Sequence, residues 1–154
     1  MGDNARNQVR EILAETRRRK TIWVAMQTAA REAVGAVTEE ARKRGVRSQN
    51  WLGGELHSDC LTVRFPTYGA RLAALTDDRS YGRRSPQATE EHQLLLRGSG
   101  TLERPDRRTP YEGYPNLVPG DVDIFRVAAV ETLMAALNAH IAKYGRHGRR
   151  SRRK

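Results

Sequence analysis

The sequence predicts an α+β fold: two dominant helices packed on a small antiparallel sheet, a long Pro/Gly loop and basic terminal extensions. Three observations carry that expectation. Apolar residues recur at helical spacing through the first 45 residues and again through 121–144. Between these stretches Leu61, Val63 and Phe65 alternate with Cys60, Thr62 and Arg64, the pattern of a strand with one buried face. Pro105, Pro110, Pro115 and Pro119 then interrupt regular structure ahead of the last helix. At 154 residues the chain has the size of one domain, 1–145, followed by a basic tail, 146–154.

Taken in order, Val9, Ile12 and Leu13 form a first helical stripe, and Trp23, Met26, Ala30, Ala33, Val34, Val37 and Ala41 form a second. Asp3 or Asn4 suits a helix start, and Gly45 suits the left-handed residue that ends one. Arg17-Arg18-Arg19-Lys20-Thr21 separates the stripes, and Thr21 can cap a new helix. The expectation is a bend there, or two helices over 4–19 and 22–44. Gly53-Gly54 breaks the chain before the strand at 60–65, which Pro66 and Gly69 close. Ala70–Leu75 is apolar and of open type. Ser85-Pro86 with Glu90, Glu91 and Gly98 reads as a capped helix, whereas Gln93–Arg97 reads equally as a strand pairing with 60–65. Residues 98–120 read as an extended loop or arm that takes its form against a neighbour, with Tyr111, Tyr114, Leu117 and Val118 as interface residues. Asp121 caps the clearest helix, whose stripe is Val127, Val130, Met134, Leu137, Ile141 and Tyr144, widened by Ile124, Ala128 and Leu133 and closed by Gly145.

Charge is distributed unevenly. Residues 1–50 carry 11 Lys/Arg against 6 Asp/Glu, residues 51–120 carry 9 of each, and residues 146–154 carry six basic side chains and no carboxylate. Clustered guanidinium and ammonium groups neutralise phosphates and release counterions. Arg17, Arg18, Arg19 and Lys20, with Arg146, Arg149, Arg150, Arg152, Arg153 and Lys154 of the tail, are therefore the candidate polyanion-binding residues. No helix-turn-helix, zinc-finger or RNA-recognition spacing accompanies them, so contact would be with backbone rather than base sequence. Alternatively they meet an acidic protein face.

Chemistry is harder to find. His57, Cys60 and His92 have ligand-like composition, yet a closed zinc site needs four ligands and Cys60 is the one cysteine. Asp77-Asp78, Glu90-Glu91 and Asp121-x-Asp123 pair carboxylates without a lysine at useful spacing, and Asp121 and Asp123 suit a helix start. Gly53-Gly54 and Gly98-Ser99-Gly100 lack the Lys-Ser/Thr of a phosphate loop. The reading is no enzyme, with no catalytic residue, cofactor or metal. The first residues lack the apolar core of a secretory signal, and no apolar run reaches the roughly 18–20 residues of a membrane span. An intracellular (cytoplasmic) or virion protein without membrane contact is expected.

The segment Glu39-Glu40-Ala41-Arg42-Lys43-Arg44-Gly45 ends a basic, alanine-rich helix, and Gly54-Glu55-Leu56-His57-Ser58 then leads into a strand. Near the other end Phe125 opens a helix containing Ala128-Ala129. Over residues 22–65 and 121–144 this order resembles the small phage head–tail joining or tail-completion proteins, although Gly53 stands where that family has Thr and no Pro closes the first helix. The resemblance implies a structural protein of virion assembly, a head–tail connector that self-associates or joins neighbouring subunits. The competing expectation is a free DNA- or RNA-binding protein without sequence specificity.

Overall fold

A computed structural model describes residues 2–47, 60–76, 91–105 and 114–145. The elements are α1 (Gly2–Lys43), β1 (Cys60–Pro66), α2 (Tyr68–Thr76), β2 (Glu91–Arg97), β3 (Leu102–Glu103) and α3 (Gly120–Tyr144). Among the described residues three helices, two of them long, and a three-stranded antiparallel sheet make an α+β fold. The sheet order is β1-β2-β3, and the long helices cover one of its faces.

The expected bend at Thr21 is absent, and α1 runs unbroken for 42 residues. Arg and Lys are good helix formers, and Glu15 bridges to Arg18 and Arg19, which relieves the repulsion inside the basic cluster. The Thr21 hydroxyl does not cap a new helix. It donates back to the Arg17 carbonyl, as Thr16 does to Ile12. Gly45, at φ +85°, ends the helix as expected. The Val46 N–H donates to the Ala41 carbonyl at 2.8 Å and carries its side chain into the core.

Two contacts set how the long helices lie. Arg44 donates to Asn138 and Arg126 pairs with Glu32; in both pairs the partners are 94 positions apart. The helices therefore run parallel at constant register, and the first residue of α3 falls beside Met26. Ile22, Met26, Ala29, Ala30, Ala33, Val37 and Ala41 bury one face of α1 against Phe125, Ala129, Leu133 and Leu137 of α3. Four alanines on that face leave room for the bulkier side chains opposite.

The buried stripe of α3 differs in phase from the expected one. Its centre is Phe125–Ala129–Leu133–Leu137, while Val130, Met134 and Ile141 lie half-buried beside it and Val127 is 57% exposed. Apolar residues on nearly every face of α3 hide the phase. By length and composition α3 is, among the described residues, the one helix apolar enough to cross a membrane, although polar residues interrupt it and no continuous apolar run has that length. Its face at Phe125, Ala129, Leu133 and Leu137 is buried against α1 and the sheet, and Val127 stays exposed.

Of the two readings of Gln93–Arg97, the strand holds. β2 pairs antiparallel with β1, Val63 opposite Leu94 and Phe65 opposite His92. Val63, Phe65, Leu94 and Leu96 face the helices, and the Phe65 and Phe125 rings meet edge to face at 5.5 Å. Ala70–Leu75 belongs to α2. Residues 85–90, with the expected cap, lie outside the described residues.

The described parts of 98–120 are not a free arm. Gly100, at φ +92°, turns the chain so closely against Arg31 of α1 that an added Cβ would lie 2.9 Å from Arg31 Cγ. Leu102 then pairs with Leu96, and its outward N–H and C=O are met by the Gln27 side-chain amide at 3.2 and 3.4 Å. Pro115–Leu117 runs beside His92–Leu94, with Leu117 2% exposed in the core. We predict that Leu133→Ala, at a fully buried position, costs about 2–5 kcal/mol in urea unfolding, whereas Val127→Ala costs about 0.5 kcal/mol or less.

Candidate functional site: a projecting helix and a two-walled groove

The register of the long helices leaves the first part of α1 uncovered. From Asp3 to Thr21 every side chain is exposed except Glu15 and Arg19, which are half-buried around their own ion pair. At 1.5 Å per residue this arm extends about 28 Å beyond the domain. Val9, Ile12 and Leu13 are 55%, 65% and 50% exposed, one unpartnered turn of apolar surface. Their position is not arbitrary. Ala5, Val9, Ile12 and Thr16 stand three heptads before Met26, Ala30, Ala33 and Val37, so the arm continues the seam that α3 fills downstream.

The basic cluster sits on this arm. Arg18 and Arg19 grip Glu15 at 2.7 and 2.8 Å, and hydrogen bonds from Arg18 first and Arg19 second hold the Glu15 carboxyl at a pKa of about 2. Arg6, Arg10, Arg17 and Lys20 make no ion pair among the described residues. Arg6, Arg10 and Arg17 share one flank of the apolar stripe by their spacing. The cluster thus divides into two paired guanidiniums and a row of available ones. Arg146, Arg149, Arg150, Arg152, Arg153 and Lys154 lie outside the described residues, as do His57 and Tyr111.

A second surface lies between β1, α2 and the first half of α3. This groove encloses about 570 Å³ and is lined by Arg64, Pro66, Tyr68, Arg71, Ile124, Val127, Ala128, Asp123 and Glu131, with Gly120 at its end. Tyr68 and Val127 are 43% and 57% exposed, and Leu72, on the same helix as Tyr68, is 46% exposed. One wall, on α3, is acidic through Asp123 and Glu131. The other, on β1 and α2, is basic through Arg64 and Arg71.

Asp121 holds that groove in shape. The sequence reading makes it the cap of α3, but Pro119 is the residue before the helix and no side chain caps there. Instead the Asp121 carboxylate, 2% exposed, accepts the Tyr68 N–H at 2.8 Å and the Val118 N–H at 2.9 Å and pairs with His92 at 3.3 Å. One side chain thereby joins α2, the 114–118 segment, β2 and α3. Burial pushes its pKa up, but the His92 contact and the two backbone donors outweigh burial and leave it below the usual value. Above it the Tyr68 ring lies against Gly120 so closely that no Cβ fits there.

Among the expected interface residues, Leu117 is committed to the core and is not available to a partner, Tyr114 is half-buried, and Val118 is 39% exposed with its N–H held by Asp121. His92, one of the ligand-like trio, is turned to Asp121, and no three His, Cys, Asp or Glu side chains converge among the described residues. Sequence reasoning missed the groove altogether. It assembles from residues 64–71 and 120–131, with no local motif to announce it. No family model, curated protein or solved structure matches the chain.

The lowered pKa of Asp121 carries a sign. Its contribution to stability is fully present above the unfolded carboxyl value, about pH 4, and is lost as pH falls through the lower folded value. Asp121→Asn should destabilise the protein at pH 7, and the unfolding free energies of variant and wild type should converge on acidification. Equal stability at pH 7 would show that the junction does not depend on this charge.

Proposed function

We propose that the chain is a non-catalytic assembly protein of connector type, which joins neighbouring structural subunits and contacts polyanion through its basic ends. The observation that carries this reading is the uncovered arm of α1. A helix of 42 residues buries a face from Ile22 onward and leaves about five turns, apolar stripe included, outside its own domain. An exposed stripe adds nothing to the fold of one copy, and its usual physical use is contact with another molecule. The resemblance to phage head–tail joining proteins, carried by residues 22–65 and 121–144, points the same way and supports a place in the virion neck or tail.

Polyanion contact is the second element. Arg17 and Lys20, with Arg6 and Arg10, stand exposed on a rigid helix, and the tail adds six basic residues without a carboxylate. Such an array suits phosphate backbone rather than base edges. Were this the whole function, the chain would be a nonspecific DNA- or RNA-binding protein, and its exposed stripe would have no use.

Sizing the purified protein with and without nuclease tests the reading. We expect an assembly larger than one chain that survives nuclease. A monomer after nuclease treatment would favour the nucleic-acid binder. Deleting 146–154 should leave the unfolding free energy unchanged within about 0.5 kcal/mol, since the tail holds no apolar residue. It should also flatten the salt dependence of nucleic-acid binding by up to about 0.9 in log–log slope for each phosphate that the tail neutralises.

A further inference from the structure

We propose that the arm of one copy seats in the groove of a second copy, so that the chain assembles head to tail through two different surfaces. The proposal deepens the assembly reading above by naming the partner and both halves of the contact.

Exposed large apolar side chains fall mainly into two groups among the described residues. Val9, Ile12, Leu13 and Val24 are on α1, and Tyr68, Leu72 and Val127 are in or beside the groove. They cannot cover one another within one chain. The arm is continuous with the rest of α1 and leads away past the start of α3, whereas the groove lies along the side of α3 against α2 and β1. Two surfaces of matching character, each open in one copy, are satisfied together when copies associate.

Charge selects this pairing. The arm's stripe is flanked on one side by Arg6, Arg10 and Arg17, and the α3 wall of the groove offers Asp123 and Glu131, none of them ion-paired among the described residues. Arg10 and Arg17 are seven residues apart, about 10.5 Å along a helix, and Asp123 and Glu131 are eight apart, about 12 Å. Arg64 and Arg71 on the opposite wall repel the basic flank and so fix which way the arm lies. Parallel pairing of two arms is disfavoured by the same charges, because side by side their Arg17–Lys20 clusters would coincide. Nucleic acid fits the groove poorly, because its α3 wall carries two exposed carboxylates.

A contact between unlike patches propagates, so it builds an open chain or, if the rotation closes, a ring. It also makes a mixing test decisive. Ile12→Glu spoils the arm and Val127→Glu spoils the groove, at positions 65% and 57% exposed, where neither change disturbs the core. Circular dichroism of each variant checks that.

Sedimentation equilibrium should show wild type associating beyond a dimer. Each variant alone should remain monomeric or need about tenfold more protein to associate. The equimolar mixture should form a one-to-one dimer and nothing larger, because one intact arm and one intact groove remain between the two chains. If V127E assembles as wild type does, or if the mixture gives no dimer, the arm-in-groove contact is overturned while the assembly reading stands. A wild type that is monomeric at every concentration would overturn the contact and self-assembly together.

Discussion

The parallel packing of α1 on α3 is the constraint from which the rest of the molecule follows. Parallel neighbours cannot be joined by a short turn, so the chain must travel back the length of the helix pair between them. Among the described residues β1, α2, β2 and β3 lie between the two helices in the chain. Because alanines line α1 where Phe125, Leu133 and Leu137 approach, the register is set by shape. Arg126 with Glu32 and Arg44 with Asn138 fasten it at two levels. A register that starts α3 beside Met26 leaves everything earlier in α1 without a neighbour. The projecting arm is thus a geometric result of where the helices lock.

Asp121 does for the loops what that register does for the helices. Its two oxygens accept two backbone N–H groups from segments about fifty residues apart and still face an imidazole. A buried carboxylate is costly unless its hydrogen-bonding capacity is used, and here it is used. Tyr68 is consequently held on the start of α3, over a glycine that allows its ring to approach the backbone closely. The groove's shape is therefore set by one ionised side chain and one missing Cβ.

The elements whose signals are local were legible in the sequence. Gly45 and Gly145, both at positive φ, end the two long helices, and the alternation of Leu61, Val63 and Phe65 marks β1. What failed to show depends on distance in the chain. Val127 and Leu133 are equally apolar in the sequence, and only the position of α1 and the sheet decides that one is exposed and the other buried. Asp121 reads as a helix-start residue because nothing in the sequence reveals that Tyr68 and His92 will arrive beside it. Thr21 after a run of four basic residues looks like a new beginning, yet helix propensity and the Glu15 ion pairs carry the helix through. The groove, built from three elements, leaves no trace in any one of them. The arm's stripe has the spacing of a buried one, so periodicity alone does not separate it from core.

Gln27 bears on what this protein does not do. A short strand at the rim of a sheet normally offers a row of backbone donors and acceptors to any extended chain that drifts by. At Leu102 both outward groups are already held by the amide of a residue rooted in α1, which takes the place that the peptide of a further strand would fill. The rim of β3 is closed by a plug no larger than a side chain, and amyloid-like stacking through that edge is blocked at its first step. Growth of the kind that adds strand to strand is denied at this rim, which leaves β1 as the sheet's other edge among the described residues.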